Sequence, residues 1–124
     1  MGYELHITRA EHWSDNEQHR ITAEEWLAVV TSDPELQIDT QNGPYFAVWS
    51  GRCSYPDGGW FDWFDGNIST KHPDRAILGK MLQIASRLGA HVQGDEGEMY
   101  AAPEDLPSEE QLHEAPQRPW WKFW

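Results

Sequence analysis

GWFDWFDGNISTKHPDRAILGKMLQIASRLGAHVQGDEGEMY, residues Gly59 to Tyr100, reads as strand, tight turn, strand, helix, strand, turn, strand. From Trp60 to Asp65 the side chains alternate, with Trp60, Asp62 and Phe64 on one face and Phe61, Trp63 and Asp65 on the other. Aromatic rings on both faces predict a strand covered at least partly on each side. Asp65-Gly66 or Gly66-Asn67 supplies the positive φ angles of a hairpin, and Asn67 to Lys71 returns antiparallel. In the helix that follows, Pro73 suits the first position, Asp74 complements the positive helix end and His72 falls at the cap. Ile77, Met81, Ile84, Ala85 and Leu88 recur at helical spacing, and Leu78 and Leu82 widen the stripe. Burying that stripe contributes on the order of 10 kcal/mol before chain entropy is subtracted. Gly89 ends the helix, His91 to Gln93 forms a short strand, and Gly94 to Gly97 turns it into Glu98 to Tyr100.

Working outward, Tyr3, Leu5 and Ile7 alternate with Glu4, His6 and Thr8, the pattern of an amphipathic strand. Ala10 to Arg20 is a polar loop with Trp13 as its anchor. Thr22 and Glu25 form a capping box with Ile21 and Trp26 at the staple positions, so a helix starts there and stops before Pro34. Leu36 to Asp39 and Tyr45 to Ser50 read as strands around an Asn42-Gly43-Pro44 turn, and Gly51 to Gly59 as a loop. The order β-α-β-β-β-β-α-β-β predicts an α+β fold, a mainly antiparallel sheet with two helices packed on one face. Residues 1–100 form the single domain, and residues 101–124 an extended, acidic, proline-rich linker ending in a tryptophan-rich segment.

A formal charge of −12 over 124 residues argues against nucleic acid or an anionic membrane as partner and for a basic protein partner or plain solubility. The single cysteine, Cys53, excludes an intrachain disulfide framework. The first residues lack the basic segment and apolar run of a signal peptide, and no window reaches the length of a membrane span, so the expected location is the cytoplasm. Of eight tryptophans, Trp13, Trp26, Trp49, Trp60 and Trp63 read as core rings, whereas Trp120, Trp121 and Trp124 crowd the last five positions.

No catalytic signature emerges. The six histidines form neither the helical HExxH arrangement nor part of a paired-cysteine set, so neither metal nor cofactor is expected. Asp62 and Asp65 point to opposite faces of a regular strand and cannot jointly flank one bond. Asp95, Glu96 and Glu98 crowd a turn without the alternate-ligand spacing of a calcium loop. Cys53 beside Arg52 would need a positioned base to act as a nucleophile. The terminal Trp120, Trp121 and Trp124 have three readings: folding back onto their own domain, inserting into another protein, or lying at a membrane interface.

The segments MGYELHITRAEHWSD (1–15), ITAEEWLAVVTSDPEL (21–36), WFDWFDGNISTKHPD (60–74) and KMLQIASRLGAHVQGDEGEMY (80–100) together resemble a family of small, acidic, uncharacterised bacterial proteins. The resemblance covers roughly residues 1–100 and the tryptophan-rich ending, with His72 standing where an asparagine is expected. It implies no activity; size and charge are similar to those of immunity proteins that block secreted toxins. The leading expectation is a non-enzymatic, immunity-like binding module. Asp57, Asp62, Asp65, Asp95, Glu96 and Glu98 are its acidic contacts, and Trp120, Trp121 and Trp124 its anchors. The alternative is a small enzyme or ligand-binding domain with a pocket lined by Trp49, Tyr55, Trp60 and Trp63. A third reading is a homo-oligomer in which the tail of one chain docks on another.

Overall fold

A computed structural model describes residues 4–56 and 58–105. The elements run β1 (Glu4–Thr8), α1 (Ala23–Ser32), β2 (Leu36–Ile38), β3 (Phe46–Trp49), β4 (Gly59–Phe64), β5 (Asn67–Lys71), α2 (Arg75–Leu88), β6 (His91–Gly94) and β7 (Met99–Tyr100). The strands form one sheet in the order β2-β3-β4-β5-β1-β6-β7, and every pairing is antiparallel. The first strand thus enters between the two halves of the carboxyl-terminal stretch, with β5 on one side and β6 on the other.

One face of the sheet carries Leu5, Ile7, Ala47, Trp49, Phe61, Ile68 and Val92, which pack with both helices in a single core. The helices therefore share that face, as the stripe on each requires. The capping box of α1 forms as expected, with the Thr22 hydroxyl accepting from the Glu25 amide and the Glu25 carboxylate accepting from the Thr22 amide. Ile21 and Trp26 beside it are fully buried. At the second helix the boundary differs from the sequence expectation. Asp74, not His72, is the cap, with Oδ1 accepting from the Ile77 amide at 2.8 Å, and Pro73 stands outside the helix. A carboxylate accepts the exposed amides better than an imidazole does, which moves the start to Arg75.

Lys80 lies within the buried stripe of α2. Its side chain is about 5% exposed, and its ammonium donates to Asp33 at 2.7 Å and to Glu35 at 2.9 Å. This ion group joins α2 to the segment between α1 and β2. Burial alone would raise the Asp33 pKa, but the hydrogen bond from Lys80 and that from the Glu35 amide outweigh it and hold the carboxyl below its usual range.

The opposite face was expected to be simply polar along β1, yet His6 and Thr8 are as buried as Leu5 and Ile7. A cross-strand row of Phe46, Asp62, Ser69, His6 and Gln93 runs over this face. The β1–α1 loop covers the His6 end of that row. At the other end Phe46 and Trp60 stack with centroids 5.1 Å apart, while Phe64, on the same face but toward His6, is 77% exposed. The tryptophans consequently divide: Trp26 and Trp49 are core residues, whereas Trp13, Trp60 and Trp63 are half-buried. Beyond β7 a short 3-10 turn, Pro103–Asp105, packs on α2, carrying the body past residue 100.

Candidate functional site

The site is assembled where the β1–α1 loop crosses the sheet. Trp13 lies flat on the buried His6 ring, with centroids 4.0 Å apart and planes 8° from parallel. Its indole N–H donates to the Asp95 carbonyl and its amide to Gln93 Oε1, each at 2.9 Å. Gln93, which is buried, in turn donates to the Glu11 carbonyl. On the other flank Asn16 Nδ2 donates to the Asp65 carbonyl and Asn67 Nδ2 to the Trp13 carbonyl. The loop is therefore latched both to the β6–β7 turn and to the β4–β5 hairpin. That hairpin turns through Asp65 (φ 53) and Gly66 (φ 91), the positive pair that a two-residue turn demands.

Under the latch, Glu4 and His6 project from the same face of β1, two residues apart. The pairing of Leu5 with Gly94 brings Asp95 alongside them. His6 Nε2 lies 2.9 Å from Asp95 Oδ1 and 3.8 Å from Glu4 Oε1. A carboxylate only accepts, so Nε2 carries the hydrogen and donates to Asp95. The other Asp95 oxygen accepts from the Glu4 amide at 3.2 Å. Lys71 reaches Glu4 at 3.8 Å from an exposed position. A cleft of about 270 Å³ opens beside this group, with Glu4, His6, Trp13, Asp65 and Ser69 in its wall. One imidazole and two carboxylates with solvent access are a donor set able to hold a cation.

Around the latch lies an acidic rim. Glu11, Asp15 and Glu17 of the loop are exposed, as are Glu96 and Glu98 of the turn, with Asp95 half-buried between them. His12 joins the two segments, its ring lying where a β-carbon on Gly97 would meet it at 2.8 Å. Neither residues 10–19 nor residues 89–105 contain a lysine or arginine. The flanking arginines are engaged elsewhere: Arg9 with Glu25 and the Leu88 carbonyl, Arg20 with Asp65. The rim also borders an open groove of about 530 Å³ walled by Glu11, His12, Asp15, Glu17, Gln18 and His19.

Of the acidic residues singled out in the sequence, Asp95, Glu96 and Glu98 come together. Asp65 is ion-paired at the hairpin tip. Asp62 stands apart on the open face, opposite Phe46 on one neighbour and Ser69 on the other, where burial pushes its carboxyl above the usual range. Asp57, Trp120, Trp121 and Trp124 lie outside the described residues, so the three readings of the terminal cluster and the oligomer built on it do too. The four residues expected to line one pocket are divided by the sheet. Trp49 and Trp63 project to the helix-covered face, Trp60 to the other, and Tyr55 is 41% exposed in the loop before β4. Cys53 Sγ donates to the Tyr55 carbonyl at 3.7 Å.

Sequence reasoning passed over Glu4, His6 and the loop acids Glu11, Asp15 and Glu17. The alternation along β1 held a signal, because Glu4 and His6 share a face, but their third partner is 89 residues from His6 and no local spacing reveals it. Comparison with known proteins finds no matching family model, no matching curated protein and no matching solved structure. Among the described residues, no helix is long and apolar enough to cross a membrane.

Proposed function

We propose that this chain is a non-enzymatic binding module, immunity-like in kind, that takes a basic surface of a partner protein on its acidic rim. The observation that carries the reading is the meeting of two segments free of lysine and arginine, which places Glu11, Asp15, Glu17, Asp95, Glu96 and Glu98 at one end of the sheet. Such an unbalanced field steers a cationic partner and sets orientation more than it sets final affinity. Hydrogen bonds tie the latch beneath it to the β6–β7 turn and to the β4–β5 hairpin, so the two acidic segments are already together before a partner arrives, which reduces the ordering cost of association. The resemblance to small acidic bacterial proteins and the single thiol accord with a bacterial cytoplasmic setting.

The test is co-expression with the product of the adjacent gene, followed by titration calorimetry of the purified pair. A complex is expected whose dissociation constant rises at least tenfold between about 50 and 300 mM salt. A similar loss is expected when Glu11, Asp15, Glu17 and Glu96 are neutralised together to glutamine or asparagine. A complex indifferent to salt and to those substitutions would refute the acidic-rim reading, as would the lack of any complex.

A further inference from the structure

We infer that Glu4, His6 and Asp95 form a binding site for a divalent first-row transition cation of the zinc class. The inference does not depend on the partner reading and can fail without it. It begins from the crowding of two carboxylates on one imidazole nitrogen. The bond from His6 Nε2 to Asp95 would be complete with a single acid, yet Glu4 Oε1 stands 3.8 Å from the same nitrogen. One ligand atom from each of the three residues lies within 4.8 Å of the others. Lys71 sits at the far oxygen of Glu4, 3.8 Å away and half exposed, and is poorly placed to balance both acids. A cation replacing the hydrogen on Nε2 would face both carboxylates at once.

The dimensions suit such an ion. Zinc-class bonds to nitrogen and oxygen are about 2.0–2.2 Å, so ligand atoms around a tetrahedral ion stand roughly 3.3 Å apart. The His6–Asp95 separation of 2.9 Å must open slightly, and the His6–Glu4 separation of 3.8 Å must close slightly. The group divides the labour accordingly. His6 is fixed by its burial and the Trp13 ring, whereas Glu4 and Asp95, 34% and 39% exposed, have room to adjust. The Glu4 amide already holds the second oxygen of Asp95, turning Oδ1 toward the imidazole, the kind of outer contact that orients a metal ligand. The cleft beside the group admits water to the remaining coordination positions. An imidazole among the donors favours zinc, cobalt or nickel over magnesium and calcium.

The experiment uses the full chain, stripped with a chelator and titrated calorimetrically with zinc at neutral pH, with cobalt absorption as a second readout. One equivalent should bind. The variants E4Q and D95N should each weaken that site at least tenfold, since even outer-sphere substitutions cost about 10–100-fold. The variant H19N, which removes an exposed loop histidine outside the ligand set, should leave it unchanged. Far-UV circular dichroism establishes that each variant is folded, and E4Q, changing a partly exposed side chain, is decisive if D95N unfolds. Zinc binding weaker than about 100 μM, or affinity unchanged in E4Q, would overturn the assignment.

Discussion

Replacing Lys80 with methionine keeps the apolar length of the side chain and deletes the ammonium that ties α2 to Asp33 and Glu35. Asp33, only 9% exposed, would then be a buried carboxylate without its main counter-charge. Breaking a buried pair from one side costs about 3–5 kcal/mol. Asp33 retains the Glu35 amide at 2.9 Å and Arg87 at 3.8 Å, so the lower end applies, about 3 kcal/mol. At about 4–8 °C per kcal/mol for a domain of this size, the melting temperature should fall by roughly 12–24 °C. Glu35 is half exposed, so E35Q should cost much less than K80M. D33N added to K80M should recover most of the loss, because it removes the stranded charge. The pH dependence has a definite sign. The folded pKa of Asp33 is depressed, so its contribution is present above the unfolded value near 4 and disappears as pH falls. In K80M that acid loss should be blunted. Urea titrations of the four proteins at pH 7 and pH 4 measure all of this. A K80M cost below about 1 kcal/mol, or an E35Q cost equal to it, would refute the account of the buried group.

The hydrogen bonds from Arg9 and then from the Thr22 amide hold the Glu25 carboxyl down at about 2, so its stabilisation should vanish as pH drops from about 4.5 toward 2; R9M should flatten that part of the stability–pH curve, and because the pair is only partly buried, salt should flatten it as well. Removing the latch ring in W13A should cost about 2 kcal/mol and speed amide exchange in residues 10–20 while leaving α2 protected; equal deprotection of α2 would show that the loop is not a separate cover. Gly97 has φ 88 with the His12 ring at 2.8 Å from a would-be β-carbon, whereas Gly89 has φ 64 and open space, so G97A should destabilise by about 1 kcal/mol more than G89A in parallel denaturation.

The local features of this fold were written in the chain. The Thr22–Glu25 capping box, the Asp65-Gly66 turn, the α2 stripe and its Gly89 stop each depend on neighbours within a few residues. What local pattern could not supply is the insertion of β1 between β5 and β6, and with it the burial of His6 and Thr8. That burial depends on Trp13 folding over the sheet, an arrangement that alternation within a five-residue strand cannot express. The cap falls at Asp74 and not before Pro73, because proline is a strong local helix-start signal while the amide-accepting oxygen lies one residue beyond it. The pocket expected from Trp49, Tyr55, Trp60 and Trp63 was grouped by nearness in sequence, and strand parity separates Trp60 from Trp49 and Trp63. Half of the acidic rim was legible as a crowded turn. The other half is supplied by a loop whose position only the latch determines.

The two outermost strands, Leu36–Ile38 and Met99–Tyr100, are three and two residues long. Rows of backbone donors and acceptors that short are poor templates for a further strand, a protection against runaway stacking of one molecule on the next. Among the described residues, the edges of this sheet therefore favour contact through side chains over lengthening of the sheet. A ligand that docked as an extra ribbon would find almost nothing to zip onto.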